Sequence, residues 1–315
     1  MVRFIVRRTI SMVFVMIIIS IITFLLFEAI PNGNPAYRLA GRNATSQEIH
    51  QIEVEYGFNK PIYVQYVKSM DNIFTGKAIS IIQGYNVDRQ VLNDLPVTLN
   101  LVVGAAIIWM VAAMLIGTIS AVKAGKYADR VLNVLAMIGV SFPPFFLAAV
   151  FLYYLGYKTG TFPLSGYVSF FGSPSQWFMH LFLPWITLAI LFVGFYSRVL
   201  RSNILDTLNE DYVRTARAKG LSERRVLVGH VLRNSLIPII SLFGLDFAAL
   251  IGGGAILIES VFNLPGVGLL TYQAIGRLDI TPILVIVLLS ALVIVLFAAV
   301  IDILYAYLDP RIRLS

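Results

Sequence analysis

The chain has 315 residues, of which 58% are hydrophobic and only 13% are charged, and its mean hydropathy is +0.82. No soluble domain of this size covers its surface with so few charges, so we expect an integral membrane protein. The formal net charge of +7 does not indicate a nucleic-acid partner, because basic residues gather at the cytoplasmic ends of membrane spans, and the absence of cysteine excludes disulfides and thiolate chemistry.

Six apolar stretches are long enough to cross a hydrocarbon core about 30 Å thick, which takes roughly 20 residues of helix. In chain order they lie near residues 9–29, 97–122, 131–157, 178–200, 235–258 and 280–306. The runs are continuous rather than alternating, which favours helices over a barrel. The first has 19 uncharged residues, Thr9–Phe27, so we interpret it as a retained span and not as a signal peptide. The predicted fold is therefore an all-α membrane protein with six transmembrane helices.

The positions of Lys and Arg predict the orientation of these spans. With the N-terminus inside, the inner segments hold 16 of them, whereas the short outer loops hold only Lys158 and Arg277. Because basic residues in short loops stay on the cytoplasmic side, both termini are expected there. The chain then divides into a tail with the first span (1–30), an extracytoplasmic loop (31–96) and a core of five spans (97–315) that includes a cytoplasmic loop at 201–236.

The extracytoplasmic loop is predicted to contain two short helices. Thr45 and Glu48 have the spacing of a capping box, and Gly57 can end the helix that follows. Pro61 suits a first helical turn, and Gly76 follows the next run of apolar residues at helical spacing. These helices either cover the outer mouth of the protein or form a platform for an external partner.

Two of the spans contain residues that interrupt helices. Pro143 and Pro144 should kink or break the third span. The run Gly252–Gly254 lets the fifth span bend, or lets a neighbouring helix approach closely. Packing and a moving pathway would both use such positions.

Ionisable residues inside a membrane are candidates for function. Glu28, Glu259 and Asp302 lie near span ends, where snorkelling or interfacial pairing suffices. Asp246 lies eleven residues beyond Ser235, which puts it roughly 16 Å deep and close to the midplane. Asp246 is therefore either a residue of a pathway or gate, or a satisfied structural group.

Motifs for energy conversion and catalysis are missing. Gly76-Lys77 and Gly125-Lys126 lack the upstream glycine and the following hydroxyl of a phosphate-binding loop, so ATP hydrolysis is not expected in this chain. Ser141 lies in Gly-Val-Ser-Phe-Pro and not in Gly-x-Ser-x-Gly, which disfavours an intramembrane enzyme. A metal site is also not expected, because no His-Glu-x-x-His occurs and the three histidines are scattered: His50, His180 and His230.

A charged island separates the fourth and fifth spans. A helix is predicted through about Leu205–Lys219, with Gly220 as its left-handed cap, and Ser222 can cap a second helix that runs into the fifth span. A short helix that projects into the cytoplasm and is hinged to a membrane helix can transmit force from a docked partner. The alternative is that its arginines only follow the positive-inside rule.

The sequence Asp211–Leu221 reads Asp-Tyr-Val-Arg-Thr-Ala-Arg-Ala-Lys-Gly-Leu. It resembles the cytoplasmic EAA loop of ABC-importer permeases, in the form typical of the dipeptide, oligopeptide and nickel permease family. Arg214-Thr215-Ala216 stands where the general signature has Glu-Ala-Ala, and the glycine comes six residues after Arg214. Further segments fit the same family in the same order along the chain: 31–35, 56–61, 64–66, 95–99, 259–262, 265–268 and 308–311.

This resemblance implies a type I ABC-importer permease fold with a cytoplasmic coupling helix near residues 205–220, in the plasma (inner) membrane of a bacterium or archaeon. It implies a homologous second permease subunit, two cytoplasmic ATPase subunits that would bind ATP and Mg, and an extracytoplasmic solute-binding protein. Membrane lipid is a further expected partner, nucleic acid is not, and no cofactor is expected in this chain itself. The residues expected to couple to the ATPase are Asp211, Tyr212, Arg214, Thr215, Ala216, Arg217, Ala218, Lys219 and Gly220.

The resemblance leaves the substrate open among dipeptides, oligopeptides, nickel chelates, glutathione and oligosaccharides. A stand-alone secondary carrier or channel is the alternative class. It would work without ATPase partners, so purification with or without a nucleotide-binding subunit separates the two.

Overall fold

The computed structural model describes residues 2–29, 35–41 and 44–308, and the regular secondary structure of this part of the chain is helical apart from one isolated β-bridge between Ile79 and Asn86. Short π-helical segments continue four of the helices: Leu25–Ala29, Leu152–Lys158, Leu227–Leu232 and Leu250–Gly254. The helices are α1 (Val2–Phe24), α2 (Pro35–Ala40), α3 (Ser46–Tyr56), α4 (Ile62–Phe74), α5 (Val87–Val122), α6 (Tyr127–Ser141), α7 (Pro144–Phe151), α8 (Pro174–Leu208), α9 (Asp211–Ala218), α10 (Glu223–Val226), α11 (Arg233–Ser235), α12 (Ile237–Ala249), α13 (Ile256–Phe262), α14 (Val267–Arg277) and α15 (Ile280–Leu308).

Five helices of the described chain are long and apolar enough to cross a membrane. They are Arg8–Phe27, Val87–Val122, Pro174–Leu208, Ile237–Gly254 and Ile280–Ile301. A sixth span exists if the bent pair Tyr127–Ser141 and Pro144–Lys158 counts as one. This agrees with the six predicted apolar stretches, and it identifies the third as a broken helix.

The two halves of the third span meet at an angle of 96°. Phe142 and Pro143 both have extended backbones, with ψ values of 133° and 134°. A residue before proline is pushed out of the helical region, so the Pro-Pro pair ends α6 and starts α7. The predicted break is confirmed.

The central pair of spans, α5 and α8, is in close contact at two glycines of α5. A Cβ on Gly104 would overlap the indole of Trp185, and a Cβ on Gly117 would lie 2.8 Å from the carbonyl oxygen of Ser197. Trp185 Nε1 also donates a 2.9 Å hydrogen bond to the carbonyl oxygen of Asn100. The two helices are therefore held at close range over much of their length.

The fifth span bends at its glycine run. Gly253 has a φ of +115°, which breaks the helix between α12 and α13. Ser290 on α15 donates a short hydrogen bond to the carbonyl oxygen of Gly252. Both roles expected of this run, a bend and a close approach, occur together.

The outer loop holds the two predicted helices. Thr45 Oγ1 accepts a hydrogen bond from the Glu48 amide at 3.3 Å, and Glu48 Oε2 accepts one from the Thr45 amide at 2.7 Å, so the capping box is confirmed. The Thr45 amide and the Thr45 hydroxyl both donate to the Glu48 carboxylate and lower its pKa, with the backbone bond the larger cause. Gly57 ends α3 with a φ of +81°, and α4 follows Pro61 as expected.

Several predictions fall on the part of the chain that is not described. The segment 31–35 is described only at Pro35, and residues 309–315, with Arg311 and Arg313, lie outside the described residues. The side chains of Glu28 and Asp302 lie outside them as well.

Glu259 lies near the end of the fifth span, as expected, but it does not snorkel to water. Its side chain is completely buried. Thr98 on α5 donates a 2.8 Å hydrogen bond to one carboxylate oxygen, and the Leu269 amide donates a 2.9 Å bond to the other. Thr98 Oγ1 in turn accepts from the Val267 amide at 2.9 Å. One buried carboxylate thus joins α13, α14 and α5.

We expect Glu259→Gln to lower the free energy of unfolding by about 1–3 kcal/mol, because an amide nitrogen would face a donor in this buried network. The midpoint of denaturation of the purified protein, measured against the wild type, tests this. Glu223→Gln is the matched control, since the Glu223 side chain is 74% exposed and its ion pair with Arg217 lies at the surface. Equal midpoints for the two variants would contradict the structural role of Glu259.

Candidate functional site

The predicted single helix over 205–219 is wrong: the structure divides it into the end of α8 and a separate helix, α9. Asn209 Nδ2 donates to the carbonyl oxygen of Leu205 at 3.0 Å, a side-chain bond that competes with continuation of the helix. Glu210 then takes an extended backbone, and its carbonyl oxygen accepts from Val213 and Arg214 at 3.0 and 3.2 Å. Glu210 is therefore the N-cap of a new helix.

Helix α9 lies on the protein through two small apolar side chains. Val213 is completely buried and Ala216 is 5% exposed, and both belong to the main hydrophobic core. Their spacing of three residues puts them on one face. The remaining predicted coupling residues are exposed: Asp211, Tyr212, Arg214, Thr215, Arg217, Ala218, Lys219 and Gly220.

Several polar contacts hold α9 against the segment that follows it. Arg217 makes a two-pronged ion pair with Glu223, with distances of 2.9 and 3.2 Å. Asn234 Nδ2 donates to the Tyr212 hydroxyl at 2.6 Å. The ion pair between Arg214 and Asp211 measures 3.6 Å and is highly exposed, so it contributes little. The charges of Asp211, Arg214 and Lys219 are therefore all exposed at the surface.

Gly220 forms the turn after α9. Its φ is +79°, in the left-handed region that glycine adopts without strain, and a Cβ there would meet open space. Its amide donates to the carbonyl oxygen of Arg217 at 2.9 Å, which satisfies the helix end. Ser222 stands at the N-cap position of α10 as predicted, but its side chain makes no capping hydrogen bond.

The two ends of the 201–236 loop are joined by hydrogen bonds. The buried Ser235 hydroxyl contacts the carbonyl oxygen of Asn203 at 3.2 Å and the Thr207 hydroxyl at 3.1 Å. Asn203 Nδ2 also donates to the Ser235 carbonyl oxygen at 3.3 Å. The loop is thus a closed unit. These residues were not predicted from the sequence. The feature that could have indicated them is the spacing of Asn203 and Thr207, which lie one helical turn apart on α8.

Asp246 lies apart from the coupling residues, on α12 within the membrane. It accepts a 2.6 Å hydrogen bond from the hydroxyl of Tyr196 on α8. Tyr196 is completely buried, and Trp109, whose ring centroid lies 6.4 Å from that of Tyr196, packs beside it. The Tyr196 partner was missed, because nothing in the sequence pairs positions 50 residues apart.

Within the described residues, no group of three or more His, Cys, Asp or Glu side chains is placed to hold a metal ion. The arrangement offers two features instead. One is an exposed charged helix that is anchored in the core and hydrogen-bonded to α11, and the other is a half-buried tyrosine–carboxylate pair between two spans.

Comparison with known proteins gives consistent matches along the chain. Residues 113–314 match the model described as "Binding-protein-dependent transport system inner membrane component". Residues 1–102 match the model of the N-terminal part of binding-protein-dependent transport system membrane components. The two models together account for nearly all of the chain.

Individual relatives are similar over their full length. The probable peptide ABC transporter permease protein y4tP of Sinorhizobium fredii is 36% identical over 98% of this chain and 99% of its own. The oligopeptide transport system permease protein AppB of Bacillus subtilis is 34% identical over 99% of each chain. The glutathione transport system permease protein GsiC of Salmonella choleraesuis is 33% identical over the same shares.

A solved structure of the MetNI methionine ABC transporter, in inward-facing conformations, has a similar fold. The TM-score is 0.53 at 15% identity, and the match covers 70% of this chain and 96% of that chain. The predicted type I importer permease fold is thereby confirmed.

Proposed function

Since the chain belongs to the family of binding-protein-dependent transport system inner membrane components, we propose that it is the permease subunit of an ATP-driven importer for peptides or similar small solutes. It forms half of the translocation pathway. The second half comes from a homologous permease subunit, and an extracytoplasmic binding protein delivers the solute. Two separate ATPase subunits, with ATP and Mg, supply the energy.

The observation that best supports this proposal is the way α9 packs on the protein. Val213 and Ala216 fix the helix to the core, while its charged face points away from the protein. An exposed helix that is anchored in the core and hydrogen-bonded to α11 transmits displacement better than a loose loop does, because packed elements move as units. In the proposed orientation, this helix and both termini lie in the cytoplasm, and the ATPase docks on Asp211–Gly220.

The outer helices α3 and α4 lie on the opposite side in this orientation. We assign them to the extracytoplasmic loop that meets the binding protein. Asp246 and Tyr196 are assigned to the pathway or its gate, because a charged group deep in a span needs a partner or a water-filled cavity.

Reconstitution into proteoliposomes tests the proposal. We expect uptake of a labelled oligopeptide only when both permeases, both ATPase subunits, the binding protein and Mg-ATP are present. A non-hydrolysable nucleotide should abolish uptake. Solute movement through this chain alone, driven by an ion gradient, would establish the secondary carrier instead.

A further inference from the structure

A largely buried ion pair joins two spans at the end of the protein that carries α9. Arg201 on α8 donates two hydrogen bonds of 2.7 Å, from Nε and a terminal nitrogen, to the two carboxylate oxygens of Asp129 on α6. The Asp129 side chain is only 5% exposed, and that of Arg201 is 26% exposed. The planar guanidinium therefore meets the carboxylate in the two-pronged geometry that fixes both position and orientation.

Further donors complete the site around Asp129. Ser120, in the last turns of α5, donates a short hydrogen bond to it, and Asn133 Nδ2 donates at 2.6 Å. The Gly125 amide in the turn between α5 and α6 donates at 2.8 Å. We call these residues, with Arg201, the Asp129 cluster. The cluster locks the α5–α6 hairpin to α8, because every donor converges on one carboxylate.

The place of Arg201 along α8 connects this cluster to the coupling loop. Asn203 and Thr207, on the same terminal stretch of α8, make the hydrogen bonds to Ser235. Helix α8 ends at Leu208, directly before α9. The end of α8 is thus tied to the coupling loop at Ser235 and to the α5–α6 hairpin at Asp129. A displacement of α9 that moves the end of α8 also moves Arg201. The α5–α6 hairpin then moves with Arg201, or the ion pair breaks.

We propose that Asp129 and Arg201 are positioning residues that transmit movement of the coupling loop to the α5–α6 hairpin, so that ATP-driven closure reaches the second and third spans. This inference rests on the proposed function. A plain anchoring role would need only one contact of ordinary strength, whereas the cluster holds a largely buried carboxylate with a two-pronged ion pair and three further donors, a geometry that tolerates little change. Removal of one partner leaves an uncompensated charge, and removal of both does not.

The variants Arg201→Met, Arg201→Lys, Asp129→Asn and the double variant D129N/R201M test this in the reconstituted complex. Solute uptake per ATP hydrolysed, at equal amounts of assembled complex, is the readout. We expect this ratio to fall by about threefold to tenfold in R201M and D129N. The ratio should be no lower in the double variant than in either single variant. R201K should show a smaller loss than R201M, because lysine keeps the positive charge although it cannot make the two-pronged contact.

Arg198→Met is the matched control. Arg198 lies one turn earlier on α8, and its Nε donates only to the carbonyl oxygen of Gly194, at 3.1 Å. We expect R198M to keep the wild-type ratio. A merely structural role for the cluster would lower the amount of assembled complex and leave the ratio unchanged, and that result overturns the inference. A wild-type complex without ATP-dependent uptake would instead reject the proposed function.

A measurement on the wild-type complex tests the same inference if the variants fail to assemble. Hydrogen exchange of α9 and of the turn at residues 123–126 is compared with and without a non-hydrolysable nucleotide. We expect protection to change in both segments. A change confined to α9 overturns the transmission through Asp129 and Arg201.

Discussion

Gly220→Val is expected to separate ATP hydrolysis from solute uptake. The Gly220 backbone has a φ of +79°, and a β-branched side chain there costs about 1–3 kcal/mol of strain. That strain reduces occupancy of the native turn by roughly fivefold to a hundredfold. Because the turn connects α9 to the segment leading into the fifth span, we expect uptake to drop by about the same factor while ATP hydrolysis continues. Both rates are measured in the reconstituted complex.

Two controls show that the effect comes from the backbone of this turn. Gly220→Asn should be nearly neutral, since asparagine tolerates the left-handed region. Gly229→Val changes another exposed glycine of the same loop that also faces open space, but whose φ is not positive. Wild-type uptake by the Gly220→Val variant, with the complex intact, would reject the lever role of α9.

The second large effect is expected at the Asp246–Tyr196 pair. Tyr196→Phe removes the hydroxyl that donates the 2.6 Å hydrogen bond and leaves a carboxylate without that donor inside the membrane. A hydrogen bond to a charged group contributes about 1.5–3 kcal/mol, so we expect a roughly tenfold to hundredfold loss of uptake. Asp246→Asn keeps an acceptor for Tyr196 and removes the charge.

The two variants distinguish two roles of Asp246. If Asp246 acts on the solute or its path through its charge, Asp246→Asn impairs uptake as strongly as Tyr196→Phe. If the pair only fixes α8 to α12, Asp246→Asn is nearly neutral and Tyr196→Phe is not. Uptake rates of both variants are measured at several peptide concentrations. Wild-type rates in both would leave Asp246 with no more than an ordinary structural role.

Features set by neighbouring residues could be predicted from the sequence. The capping box at Thr45 and the break at Pro143 depend on sterics and hydrogen bonds within a few residues. The apolar spans depend on length and composition alone. Local rules failed at Asn209, because a helical pattern continued across it and the competing side-chain bond was not considered.

Pairs that are distant in sequence could not be predicted in this way. Arg201 and Asp129 are 72 positions apart, and Thr98 and Glu259 are 161 apart. Arg201 therefore counted only as one more cytoplasmic charge, and Glu259 only as a residue near a span end. Each side chain on its own has a simple explanation, and only the folded structure shows which residue it contacts.

The glycine contacts between α5 and α8 also bear on which parts can move. At Gly104 the α5 backbone lies directly against the indole of Trp185, and at Gly117 it lies against the Ser197 carbonyl oxygen, so the two helices have little room to slide past each other. We infer that α5 and α8 move together as one unit when the end of α8 is displaced. We then expect the backbone to bend, when the permease opens and closes, where its helices are already interrupted, at Pro143 and at Gly253. The two long helices then turn together, and the halves of the third and fifth spans change their angles at these two breaks.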